Sequence, residues 1–377
     1  KFLCYFNIKI IIKNFVFFTA LSIAATAGLT KEVRIAMGAS GDGALQKAQR
    51  LFAAKIEEST GGEYTGRTFE GTLLNYAELP QGVATGVVDV GYWPAAYVPG
   101  EFPVTNYASN IVATIVEPVA VGGALSEFIF NCDSCIEEFR RKNQVNTGFA
   151  VVAPYIFMTK EKVNDVSDLK GMRVRGFSAF NKLVGQWGGV AVAVPVGEVY
   201  QALATGHLEA NIHLWDIIDT YSLGDNVDYV YDAPIGIYGG NSMFNINRDF
   251  WMTLSDQNKR HFFNAAADSL AYATVMYEAN NRNLIASASE LGVELLETPA
   301  SIRDSINSFR DNNVKEVIAA AASDEKIPDS AELGATLLAL IDKWRGLAGG
   351  IDQTDPDAVA ALYRKELFDN INLKTLE

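Results

Sequence analysis

The sequence predicts an α/β fold of two lobes that face each other across a cleft and share one long bracing helix. Three observations carry this. Strand–helix–strand patterns occur twice, over residues 31–91 and again from about Ala150 to His213, and such repeats imply parallel pairing with right-handed crossovers. Residues 255–291 contain no proline and only helix-compatible residues; at ~1.5 Å per residue a straight rod of this length exceeds about 50 Å. Globular helices usually run ~10–14 residues, so such a rod has to brace both lobes. Finally, the roughly 350 residues beyond the N-terminal leader are too many for one small core.

The leader comes first. Residues 1–14 are apolar and basic, with Lys9 and Lys13 as charges; residues 15–25 form an apolar run, and Ala25-Thr-Ala27 supplies small residues for cleavage. The run is short of the roughly 20 residues a spanning helix needs. Residues 1–27 therefore read as a signal peptide cleaved near Ala27, and the mature chain as periplasmic. Loss of Lys1, Lys9 and Lys13 moves the formal charge from −14 to about −17. Such a surface excludes nucleic acid and anionic lipid as partners, and an anionic ligand must be captured by local positive groups.

In the first α/β series, residues 31–37 read as a strand and residues 38–43 as a turn. Residues 44–60 read as a helix, with Leu45, Ala48, Leu51, Phe52 and Ile56 at helical spacing. A strand over 64–69, a helix over 76–85 and a strand over 87–91 follow, with Tyr92 and Trp93 directly after it. Cys132-Asp-Ser-Cys135 has the spacing of a redox pair, but Asp133, Glu137 and Glu138 disfavour a thiolate; in an oxidising compartment a structural disulfide is expected. The second series contains a loop and short strand over 168–175, a strand over 190–194, a helix reaching Leu203, and a strand over 208–213 followed by Trp215. Two more helices, parted by Gly349-Gly350, occupy residues 330–377. The expected division is lobe I over 28–150 plus about 241–272, lobe II over 151–240 plus about 273–325, and a C-terminal helical extension over 326–377.

Arg175 is the leading site candidate. It ends its strand, where open α/β sheets place ligands, and its guanidinium is a permanently charged fork suited to a carboxylate. Gly38-x-x-Gly41-x-Gly43 has the wrong spacing for a dinucleotide loop and reads as a tight turn at a helix N-terminus, with Ser40 in reach of a ligand. Tyr92, Trp93 and Trp215 fall at strand ends and read as cleft walls, and Tyr155, Phe177 and Asn241 as further contacts. The three histidines include His213, placed for pocket lining; with Asp216 it also makes a possible acid–base pair. Asp216 and Glu209 are the candidates if a metal bridges ligand and protein. No G-x-S-x-G, P-loop or H-E-x-x-H occurs, and no cofactor is expected.

Four segments together resemble the solute-binding proteins of tripartite ATP-independent periplasmic (TRAP) transporters, of the dicarboxylate or DctP-like type. They are Thr60-Gly-Gly62 with Phe69-Glu-Gly-Thr-Leu-Leu74, Asp168-Leu-Lys-Gly-Met-Arg-Val-Arg175, Val196-Gly-Glu-Val-Tyr-Gln-Ala-Leu-Ala-Thr-Gly206, and Phe250-Trp-Met-Thr-Leu-Ser-Asp-Gln257. The resemblance implies a periplasmic-binding-protein-like fold that closes on an organic acid and delivers it to membrane subunits, with Arg175 pairing the ligand carboxylate. His213 stands where the family often has Asn, Val196 replaces an aromatic, and no second basic residue accompanies Pro154-Tyr155. These departures point away from sialic-acid-like and dicarboxylate ligands and toward a monocarboxylate with an apolar or aromatic body. The competing expectation is an exported α/β enzyme acting on a small organic acid, with His213 and Asp216 as acid and base.

Overall fold

The computed structural model describes residues 30–323, 327 and 329–377; the expected signal peptide lies outside the described residues. Two lobes each surround a six-stranded mixed sheet. In the first, β1 (Lys31–Met37), α1 (Ala44–Ser59), β2 (Tyr64–Glu70), α2 (Leu79–Ala84) and β3 (Val90–Pro94) form the expected parallel unit, β1 lying between β2 and β3. Then come α3 (Pro103–Val112), α4 (Pro118–Phe130), α5 (Asp133–Arg141), and the short strands β4 (Gln144–Val145) and β5 (Phe149–Ala150). The second lobe takes β6 (Tyr155–Thr159), β7 (Arg173–Arg175), α6 (Phe180–Gln186), β8 (Val190–Ala191), α7 (Val199–Ala204), β9 (Ala210–His213), α8 (Asp216–Thr220) and β10 (Tyr229–Gly236). The chain returns to the first sheet as β11 (Asn241–Asn247) and passes through α9 (Arg248–Thr253) into α10 (Asp256–Ala286). It adds β12 (Glu294–Leu296) to the second sheet and ends in α11 (Ala300–Ala321), α12 (Ser330–Ala348) and α13 (Pro356–Glu366).

The pairing is less uniformly parallel than the repeats imply. β11 runs antiparallel to β3, β4 and β5, and β6 antiparallel to β9 and β10. Both strands arrive from the opposite lobe over short links, residues 151–154 and 237–240, with no crossover helix to set a parallel direction. The return link is crowded. A Cβ on Gly236 would lie 1.9 Å from the backbone carbonyl oxygen of Ala113, so only glycine fits there, and one on Gly240 would lie 2.5 Å from the Tyr238 hydroxyl.

Among the element boundaries that differ from the sequence reading, two matter for the site. The third strand covers 90–94, not 87–91, because Arg34 ties the preceding residues into a loop. Its guanidinium grips Asp89 through Nε (3.0 Å) and Nη2 (2.7 Å) and donates to the carbonyls of Gly86 (2.9 Å) and Val87 (2.8 Å). The helix expected from 76 begins at 79, because Asn75 Oδ1 accepts the backbone N–H groups of Ala77 (2.9 Å) and Glu78 (3.1 Å) and holds a turn there.

α10 is the bracing rod. Ser255 caps it by accepting from the Asn258 N–H (3.1 Å), and its 31 residues span about 46 Å at ~1.5 Å per residue. It packs on α1 and α4 in one lobe and on α8 in the other. α4 is apolar almost all round and nearly wholly buried; α12 covers it, with Trp344 Nε1 donating to Glu127 (2.7 Å), while α13 lies along α10. At the start of α5, Cys132 and Cys135 are joined in a disulfide with Cα atoms 5.2 Å apart. Among the described residues no single helix is long and apolar enough to cross a membrane.

Candidate functional site

A cavity lies between the lobes, with about 70 Å³ open to the centres of water-sized spheres; one water needs roughly 10–15 Å³ on that measure. Lobe I contributes Tyr76, Tyr92, Tyr97 and Asn241, lobe II contributes Tyr155, Arg175, Phe177, His213 and Asp216, and the rod contributes Tyr277. Seven tyrosines line it in all, Tyr221 and Tyr238 completing the set. Burial raises the phenol pKa of each of Tyr76, Tyr92, Tyr155, Tyr238 and Tyr277, and pushes Tyr221 up to about 12, so all six present neutral O–H groups at ordinary pH.

Arg175 ends β7 and is 1% exposed. Its Nε donates to the carbonyl of Val194 (2.9 Å), which aims the fork, and its guanidinium carbon lies 5.3 Å from the centre of the Phe177 ring. Nη1 is buried without a hydrogen-bond partner, and no ion pair reaches the guanidinium among the described residues. Burying a charge without a counter-charge costs several kcal/mol, so this fork is set to receive an anion. His213, at the end of β9, opens part of its surface to the cavity and stacks on Tyr155 with centroids 4.7 Å apart. Burial, and secondarily the Arg175 charge, depress its pKa well below the usual imidazole range. It is therefore a neutral ring, and its Nδ1 has no protein partner.

Strand alternation sorts the remaining candidates. Tyr92 lies inside β3 with its side chain on the cavity face, its hydroxyl donating to Asn241 Oδ1 (2.8 Å). Trp93, one residue on, must point the other way. It is fully buried between Phe102 and Phe139, donates to Gln144 (3.3 Å), and does not line the cavity. Trp215 is also displaced from the expected wall: as the first cap of α8 it turns into a separate apolar cluster with Ile156, Met158 and Val199. Ser40 is exposed and outside the cavity; the turn places Gln46 there instead, its amide donating to the carbonyls of Ala39 (3.4 Å) and Ser40 (3.3 Å). Glu209 is exposed at the far end of β7, paired with Arg173 (3.3 Å), and no cluster able to hold a metal occurs among the described residues. Asp216 does reach the cavity, accepting from Thr220 (3.1 Å) and Asn280 (3.1 Å), but it makes no hydrogen bond to His213, so the orienting contact of an acid–base pair is missing.

The rim is latched across the lobes. The Val196 N–H donates to the Tyr97 hydroxyl (3.1 Å), and the Ser178 hydroxyl to Asn110 Oδ1 (2.6 Å). Sequence reading missed Tyr76, Tyr97, Tyr221, Tyr238, Tyr277 and Gln46. Only Tyr76, beside the turn-forming Asn75, and Tyr238, among closely spaced glycines, carried a local signal.

Residues 35–320 match the family model described as DctP, bacterial extracellular solute-binding protein, family 7. The chain belongs to this family. As a DctP-like TRAP solute-binding protein it is a receptor and not an enzyme, and its place is outside the cytoplasmic membrane. Solved structures share the fold over nearly their whole length. A TRAP solute-binding protein from Rhodoferax ferrireducens T118 with copurified benzoate is 19% identical, with a TM-score of 0.75 over 85% of this chain and 100% of that one. A marine metagenome protein specific for aromatic acid ligands, co-crystallised with 3-hydroxybenzoate, is 22% identical, with a TM-score of 0.72 over 84% and 99%. DctP7, a Bordetella pertussis receptor binding pyroglutamic acid, is 21% identical, with a TM-score of 0.70 over 83% and 100%.

Proposed function

We propose that this solute-binding protein captures a small monocarboxylic acid with a compact ring or apolar body and hands it to TRAP membrane subunits. The observation that carries the reading is Arg175: a nearly fully buried guanidinium, without an ion-pair partner among the described residues, that lines the cavity between the lobes. The carboxylate docks on Arg175, His213 offers a neutral N–H, and the tyrosines and Phe177 stack on the ligand body. The relatives' ligands, benzoate, 3-hydroxybenzoate and pyroglutamic acid, are all compact ring monocarboxylates and support the size and class. In the same reading the chain is exported and cleaved near Ala27.

The test is calorimetry of Arg175→Ala against a panel of small organic acids. Charge-assisted hydrogen bonds contribute roughly 1.5–3 kcal/mol, so affinity falls by at least about tenfold. Unchanged affinity removes Arg175 from the site and the reading with it.

A further inference from the structure

The cavity lining includes groups of opposite hydrogen-bonding character. Arg175 brings only donors. Elsewhere in the lining, Gln46 is held with its amide nitrogen turned to backbone carbonyls, which leaves its Oε1 as a free acceptor. Gln46 Oε1 and Asp216 Oδ2 each lie 3.2 Å from the position a Cβ on Gly43 would take, so the two oxygens converge on one corner. The Asp216 carboxylate has about four acceptor positions, of which Thr220 and Asn280 occupy two. No ion pair reaches it among the described residues; Lys47, on the outer side, is paired with Asp42 (3.3 Å). Asp216 and Thr220 also line an outer polar cleft, so this corner lies toward the cavity mouth.

Resting on the reading above, we propose that the ligand is an amino- or amido-carboxylic acid, its carboxylate on Arg175 and an N–H group on the Asp216–Gln46 corner. An N–H satisfies both acceptors, and a positive nitrogen shares the cavity with the Tyr76, Tyr221 and Tyr277 side chains, aromatic groups that attract cations. A second carboxylate at this corner is repelled by Asp216. Burial raises the Asp216 pKa, while the hydrogen bonds from Asn280 and Thr220 oppose the rise.

The experiment uses matched acids that differ only where a ring nitrogen replaces a methylene: proline, pipecolate and isonipecotate against cyclopentane- and cyclohexanecarboxylate. Calorimetry on the full mature chain should give at least one nitrogen acid about tenfold tighter than its carbocyclic twin. Asp216→Asn should reduce that ratio to about threefold or less, while Arg175→Ala weakens both twins alike. Equal or tighter binding of the carbocyclic acids to the wild-type chain overturns the proposal and leaves the carboxylate reading standing. So does an equal loss for both twins in Asp216→Asn, which marks a closure contact. If no acid in the panel binds in an Arg175-dependent way, both readings fall.

Discussion

At the residue scale, Arg175 and His213 carry the proposed carboxylate contact. Arg175→Lys keeps the charge but loses the fork and the Nε contact to Val194 that aims it. Carboxylate affinity in this variant should fall by about tenfold, measured by calorimetry, since two directed bonds become one mobile charge. His213 bears on pH dependence. Its folded pKa lies well below the ordinary 6.5, so on acidification the unfolded chain takes up a proton that the folded ligand-free protein does not. The unfolded state binds more protons in that window, and the His213 contribution to stability is lost as pH falls below 6.5. His213→Asn should flatten that part of the melting-temperature profile; an unchanged slope would place the loss elsewhere. That Arg175, His213, Tyr155 and Tyr92 line the cavity was legible in the sequence, because Arg175, His213 and Tyr155 sit at strand ends and Tyr92 follows a strand that local patterning marks. The inward face of Trp93 was not, since a shift of one residue reverses the face a strand side chain takes, and Trp215 caps α8 and turns into a separate apolar cluster. The Arg34–Asp89 clamp that sets that phase joins residues far apart in the chain.

At the level of elements, α3 starts against a buried carboxylate. Glu138 on α5 accepts the N–H groups of Val104 (2.7 Å) and Thr105 (3.1 Å) and the Thr105 hydroxyl (2.6 Å), which caps the helix start. Burial outweighs these donors and pushes its pKa up to about 7 from 4.5. Across that window the folded protein keeps a proton the unfolded chain has shed, so this contribution to stability falls as pH rises from 4.5 to about 7. Glu138→Gln should remove the slope in denaturant titrations repeated across that range. The opposite signs of Glu138 and His213 make the two separable. The C-terminal helices are tied to the first lobe by close approach. A Cβ on Gly123 of α4 would lie 2.3 Å from the Trp344 ring, and Tyr363 donates to the Val119 carbonyl (2.7 Å). Trp344→Ala should cost roughly 3–5 kcal/mol in urea titrations, the range for emptying a buried aromatic site. The helix pair was readable from periodicity and Gly349-Gly350, and the rod from its long uninterrupted run. Its packing on α4 was not, because α4 is apolar almost all round and names no partner.

For the molecule as a whole, the surface and the site oppose each other in charge. The formal charge is −14, yet Arg175 brings a positive charge to the cavity lining. An anionic ligand approaches against the global field, so added salt should speed association, the reverse of ordinary steering. Stopped-flow fluorescence at ~10 and ~150 mM salt, where the screening length drops from about 30 to about 8 Å, measures this. The two-lobed architecture was legible from the paired α/β series and the rod, whereas the tyrosine lining was assembled from both lobes and α10 and had no signature in one segment. One short loop links the scales. The carbonyl of Val194 aims the guanidinium, and two residues later the N–H of Val196 meets Tyr97 on the opposite lobe. Tension on that tripeptide is thus felt by anchor and clasp together. A transporter subunit that pries Tyr97 away would tilt the fork as it does so, loosening its cargo in the same stroke that opens the exit.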